Sequence, residues 1–214
     1  MSELIAVLAG TPVDTQMGVD VLTRAGLTGM AFPLAKDPWE QTAFQISSPE
    51  EKWAATRKIL RAAQAQGCEK AFVYCNSLSA SVDFPALAEE TGMKIVTPLD
   101  VYRLLAGNYS HLAFIAANAQ GLAGIERTLL SANPTLELRS AGLLPVVLAI
   151  EAGLPAEQLV SQHRLDALAD WFAACGAEAL LLGCTHFPYF KDELSLHTAL
   201  PLIDPAEEML HLLK

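Results

Sequence analysis

Leu180-Leu181-Leu182-Gly183-Cys184-Thr185-His186-Phe187-Pro188-Tyr189-Phe190 decides how this chain is read. A short, uncharged apolar run of this kind is expected of a strand buried on both faces. It stops at a glycine and hands over a cysteine, a threonine and a histidine. Pro188 then stands where a helix can start. The stretch therefore predicts a strand end that delivers a thiol to the mouth of a helix, where free backbone N–H groups and the helix dipole favour thiolate. Ala71-Phe72-Val73-Tyr74-Cys75-Asn76-Ser77 repeats the device, with an apolar run ending in Cys and small polar residues.

The rest of the chain alternates in the same way. Apolar runs at Leu4–Ala9, Met30–Phe32, Phe72–Cys75 and Lys94–Val96 predict strands. So do those at Leu112–Ala116, Ala179–Leu182 and Pro201–Ile203. Helices are expected over about 17–25, 48–66, 86–90, 98–107 and 122–130, with one long helix from Pro155 to about Cys175. Ser48-Pro49-Glu50-Glu51 is a strong helix start, and Asp204-Pro205-Ala206-Glu207 caps a terminal helix. Gly10 to Thr15 reads as a loop, as does the long segment from Pro33 to Ser47 that carries Trp39, Gln41, Thr42 and Gln45.

Alternating strands and helices predict an α/β fold with parallel sheets and ligands at the strands' carboxyl ends. The pattern also restarts. Ile5 and Leu112 differ by 112 − 5 = 107 positions, and the two thiols by 184 − 75 = 109. Near-equal offsets predict two similar lobes with parallel sheets, related by pseudo-twofold symmetry, each placing its cysteine at a shared cleft.

Composition narrows the function. A formal net charge of −10 argues against nucleic acid or an anionic membrane as partner. An apolar fraction of 52% against 18% charged residues suggests that some surface is covered, most simply by a second copy in a homodimer. Met1-Ser2-Glu3 lacks the basic start of a secretion signal and no apolar run is long enough to span a bilayer, so a cytoplasmic location is expected. Cysteines there are expected to be free, and the spacing of Cys68, Cys75, Cys175 and Cys184 has no metal-binding pair.

A thiolate on one face of a carbon acid and a thiol on the other form a base–acid pair. One removes a proton and the other returns one to the opposite face, which inverts a stereocentre without a cofactor. His186, two residues from Cys184, is placed to hold a proton for that sulfur. Asp14, after the first strand, either tunes Cys75 or caps the helix that follows. Asn76, Ser77 and Thr185 are suitable donors for a developing carbanion, or plain turn formers.

Other residues call for structural readings only. Cys68 and Cys175 read as small buried residues, and Trp53 and Trp171 as core. His111, His163, His197 and His211 read as surface or capping groups, and Glu50 and Glu51 as partners of a helix dipole. Trp39 is left as a lid or interface residue.

Gly183-Cys184-Thr185-His186-Phe187-Pro188 closely resembles the second-cysteine motif of glutamate racemases. Cys75-Asn76-Ser77-Leu78-Ser79 is similar to the first-cysteine motif, usually C-N-T-A-S, and Ile203-Asp204-Pro205-Ala206 to a late I-D-S-A. The chain is thereby identified as a member of the aspartate/glutamate racemase superfamily. The resemblance implies a cofactor-independent two-base racemase of a small acidic amino acid, with two Rossmann-like or flavodoxin-like lobes and dimers common. It also implies that the second lobe is inserted into the first, so the expected boundaries are 1–98 plus 204–214 for the lobe carrying Cys75 and 99–203 for the lobe carrying Cys184. It implies that Cys75 and Cys184 deprotonate opposite enantiomers with Asp14 and His186 assisting. Thr15, Asn76, Ser77, Asn118 and Thr185 would then hold the substrate.

The chain also departs from the pattern. Asp14-Thr15-Gln16-Met17-Gly18 stands for D-S-G-V-G, Pro38–Thr42 matches P-Y-G only loosely, and Ala116-Ala117-Asn118-Ala119-Gln120 replaces A-T-x-x-T. Same-fold alternatives are therefore an isomerase, hydantoin racemase or decarboxylase of another small acid, or a silent binding protein.

Overall fold

The structure is a computed structural model and describes residues 3–214. Met1 and Ser2, on which the reading of the N-terminus partly rests, lie outside the described residues. The chain divides into two compact units, one running to Val101 and taking in Ala206–Lys214, the other Tyr102–Pro205.

The first unit runs β1 (Leu4–Ala9), α1 (Pro12–Arg24), β2 (Thr28–Pro33), α2 (Pro38–Ile46), α3 (Pro49–Ala65) and β3 (Lys70–Val73). It continues with α4 (Asn76–Ser81), α5 (Phe84–Thr91), β4 (Lys94–Val96) and the start of α6 (Pro98–Leu105). Its sheet is all parallel, in the order β2-β1-β3-β4. The second unit follows from the rest of α6 with β5 (His111–Ala116), α7 (Ala119–Ala132), β6 (Glu137–Gly142), α8 (Leu144–Glu151), α9 (Ala156–Gln162) and α10 (Leu165–Ala174). Then come β7 (Ala179–Leu182), α11 (Lys191–Ser195) and β8 (Leu202–Ile203), again parallel, in the order β6-β5-β7-β8. The closing helix α12 (Ala206–Leu213) packs on β3 and β4 of the first unit.

The two units are copies of one topology. The inner strands β1 and β5 are buried from their second residue onward, as continuous apolar runs should be when helices cover both sheet faces. The edge strands β2 and β6 share one pattern of partial exposure, with no fully buried residue. In the first unit Leu8, Leu60, Leu87, Phe84 and Val73 close the core between sheet and helices. Burying each such side chain contributes about 1.5–3 kcal/mol.

Five expectations are corrected. The segment Gly10–Thr15 is not all loop: Thr11 caps α1 from Pro12, its hydroxyl meeting the backbone of Asp14 while the Asp14 carboxylate meets the Thr11 N–H. Pro33–Ser47 contains α2, because the Asp37 carboxylate accepts from the Glu40 N–H at 2.9 Å and starts a helical turn. The single helix from Pro155 to Cys175 is two, since Arg164 adopts φ 53 and interrupts the ladder. Trp171 is not core but 53% exposed on α10, while Trp53 packs against the core. Of the two cysteines read as buried, Cys68 is and Cys175 is half-buried.

Candidate active site

In each sheet the chain leaves the first strand for one neighbour and then crosses to its other side. That places the topological switch point between β1 and β3 in the first unit, and between β5 and β7 in the second. Ligands of open parallel sheets bind outside the carboxyl ends of the strands at such a point. Every candidate residue follows one of these four strands. Asp14 and Thr15 follow β1, and Cys75, Asn76 and Ser77 follow β3. Asn118 follows β5, and Cys184, Thr185 and His186 follow β7.

In the first unit Cys75 is 4% exposed and is the N-cap of α4, a helix of only six residues. Its sulfur lies 3.5 Å from the Ser77 hydroxyl, and the Gln41 amide nitrogen comes within 3.9 Å of it. The Gln45 amide donates to Ser77 Oγ at 2.8 Å. Both glutamines belong to α2, so the segment expected to be irregular is the element that reaches the thiol. Asp14 accepts from Gly10 N–H at 3.1 Å and from Thr11 N–H and hydroxyl at 2.6 and 2.9 Å. It therefore braces the turn after β1 from the third position of α1. Thr15 is buried and its hydroxyl donates to the Thr11 carbonyl at 2.6 Å.

In the second unit Cys184 is 7% exposed, and Nδ1 of His186 lies 3.7 Å from its sulfur. The other ring nitrogen meets Glu151 Oε1 at 3.2 Å. No α-helix opens at Pro188: the chain turns into a 3-10 segment, Phe187–Phe190, before α11. The sulfur of Cys184 thus has His186, backed by Glu151, as its neighbour, and no α-helix starts directly after it. Thr185 is buried beside it. Asn118 is the N-cap of α7, its Oδ1 accepting from Gly121 N–H at 3.0 Å.

Glu151 is the residue that reading the sequence missed. It ends α8, an otherwise uncharged helix, and stands 35 positions from the histidine it meets. Among the described residues no group of three or more His, Cys, Asp or Glu side chains could hold a metal ion.

Two parallel α/β units, each carrying a buried thiol at its switch point, define the class of fold and site. No family model matches the chain. A glutamate racemase of Limosilactobacillus reuteri is 37% identical over 84 residues, a stretch that spans 38% of this chain and 31% of that protein. Among solved structures, glutamate racemase from Francisella tularensis in complex with D-glutamate is similar at TM-score 0.69 and 20% identity. That likeness covers 98% of this chain and 80% of the other. An aspartate racemase homologue from Pyrococcus horikoshii is similar at TM-score 0.73 and 14% identity, covering 99% and 97%. The chain has the α/β fold of the aspartate and glutamate racemases.

Proposed function

We propose that the protein is a cofactor-independent racemase that inverts the α-carbon of a small acidic amino acid, aspartate or glutamate. Cys75 and Cys184 are the two bases. The observation that carries this reading is positional. Each thiol stands two residues beyond the strand that pairs with the first strand of its unit, Cys75 after Val73 and Cys184 after Leu182. Both are withdrawn from water and have polar partners. A single structural cysteine needs no such duplication.

In the reaction, one sulfur enters as thiolate and the other as thiol. The thiolate takes the α-proton, so a C–H bond breaks, an S–H bond forms, and the electron pair stays on carbon. The thiol on the opposite face then gives its proton to that carbon and becomes the thiolate. Nothing is oxidised or reduced. Proton transfer by placed groups supplies on the order of 10²–10⁴-fold. The remainder falls to donors that stabilise the carbanion, for which Asn76, Ser77 and Thr185 are the candidates, with Thr15 and Asn118 as further substrate-binding residues. His186 with Glu151 serves Cys184. Asp14 holds the turn in which Thr11 and Thr15 sit.

The exposed apolar side chains Trp39, Ile46, Leu148 and Leu196 support a homodimer, which light scattering on the purified chain would test. The four free cysteines support a cytoplasmic location. Among the described residues no helix is long and apolar enough to cross a membrane.

The decisive experiment is proton NMR in deuterated water with each enantiomer of aspartate, glutamate and a set of hydantoins. Loss of the α-hydrogen signal with one acidic amino acid, abolished by Cys75→Ser and by Cys184→Ser, is the expected result. No exchange with any of them would overturn the racemase reading.

A further inference from the structure

We propose that α2 tunes the Cys75 thiol: the Gln41 amide and the Ser77 hydroxyl donate to its sulfur, and Gln45 is the positioning residue that orients that hydroxyl. The inference rests on the reading of Cys75 as a base.

Gln41 and Gln45 are one helical turn apart and share a face of α2. Outward from that helix, Trp39 and Ile46 are 85% and 72% exposed. The Gln45 Nε2–H group occupies one lone pair of Ser77 Oγ at 2.8 Å, which leaves the serine proton and its second lone pair to face Cys75 at 3.5 Å. A base must be met in both of its states, and a hydroxyl can do that. It accepts from S–H when Cys75 is a thiol and rotates to donate when Cys75 is a thiolate. The Gln41 Nε2–H group, 3.9 Å from the same sulfur, can only donate and so favours the charged form.

The position of the Gln41 amide depends on Gly10. A Cβ on Gly10 would lie 1.8 Å from Gln41 Nε2 and 2.3 Å from Cδ. The end of β1 therefore leaves a notch that the amide fills. Leu34, Ala35, Phe44 and Leu78 line the apolar nook beside it.

The test follows iodoacetamide alkylation of Cys75 against pH in the full chain, by peptide mass spectrometry, with half-buried Cys175 as internal reference. In Gln41→Leu and in Gln45→Met the Cys75 midpoint rises and its rate at pH 7 falls about three- to tenfold, while Cys175 is unchanged. Gly10→Ala, which keeps both glutamines but fills the notch, moves Cys75 in the same direction. Unmoved Cys75 midpoints in Gln41→Leu and Gln45→Met, with wild-type circular dichroism, overturn the inference. So does an unmoved midpoint in Gly10→Ala if the glutamine variants do not fold. Alkylation needs no turnover, so the two readings fail separately. A chain without α-hydrogen exchange but with shifted Cys75 reactivity loses the racemase reading alone. One with exchange and unmoved reactivity loses only the role of α2.

Discussion

Glu151 Oε1 lies 3.2 Å from Nε2 of His186, with the two side chains 16% and 5% exposed. A carboxylate can only accept, so the ring nitrogen facing it carries the proton. Nδ1, 3.7 Å from Cys184, is then the ring's acceptor in the neutral form and a second donor in the charged form. Glu151→Gln replaces a group that can only accept with an amide that can also turn its N–H2 group to the ring, which allows the opposite tautomer. The expected outcome is a fall of about tenfold or more in Cys184 alkylation at neutral pH and a fall in α-hydrogen exchange of about 10²-fold. Rate constants for both, against wild type, check it. Unchanged Cys184 reactivity would mean that Glu151 only packs against the ring.

Gly183 is required by close approach. A Cβ there would stand 2.4 Å from Ile125 Cδ1 and 2.7 Å from the Ile115 carbonyl oxygen, which accepts the Gly183 N–H at 2.8 Å. The carbonyl cannot retreat without losing that bond. Gly183→Ala should cost about 1–3 kcal/mol and lower the melting temperature. Gly107→Ala, where an added Cβ meets nothing within 4 Å, should be neutral or slightly stabilising. Scanning calorimetry on the pair separates overpacking from a general intolerance of alanine.

The Glu178 carboxylate accepts from the N–H groups of His111 and Ser110 at 2.9 and 3.0 Å, joining the start of β5 to the start of β7. Those bonds, the His111 one foremost, hold its pKa below the ordinary carboxylate value. A folded-state pKa that is depressed contributes stability above the unfolded value. That contribution is lost as pH falls through the folded one. Glu178→Gln should therefore unfold at lower denaturant than wild type at neutral pH, and the difference should close in acid. Urea titrations at several pH values check this, and a gap that persists in acid would contradict it.

Burial pushes the Cys68 thiol above its ordinary value. Cys68 should resist alkylation at pH 8 in the folded chain and react on unfolding, whereas Cys75, equally buried but met by Ser77 and Gln41, should react while folded. Peptide mapping after alkylation with and without urea checks the contrast. Equal protection of both would show that burial alone governs them.

Much of the secondary structure was legible because its signals are local. The Ser48-Pro49-Glu50-Glu51 start is a capping box in the structure. The same pattern, a short polar residue, a proline, any residue and an acid, also stands at Thr11-Pro12-Val13-Asp14 and Asp37-Pro38-Trp39-Glu40. The helix starts that went unread at those two places were therefore signalled in the same way. The break at Arg164 was not signalled, because a left-handed arginine follows from how α9 and α10 pack rather than from its own preference. Trp171 sits at apolar spacing yet faces outward, since periodicity marks a helix face without saying what covers it.

By itself the sequence determined the doubled α/β order and put each thiol just past a buried strand. Apolar runs, caps and breakers act over a few residues and need no knowledge of the rest of the chain. Only the tertiary structure decided which side chains meet those thiols. Glu151 and His186, Gln41 and Cys75, and Gln45 and Ser77 are 35, 34 and 32 positions apart. Contacts of that kind depend on where whole helices come to rest and on a glycine notch that admits an amide, and packing alone sets both.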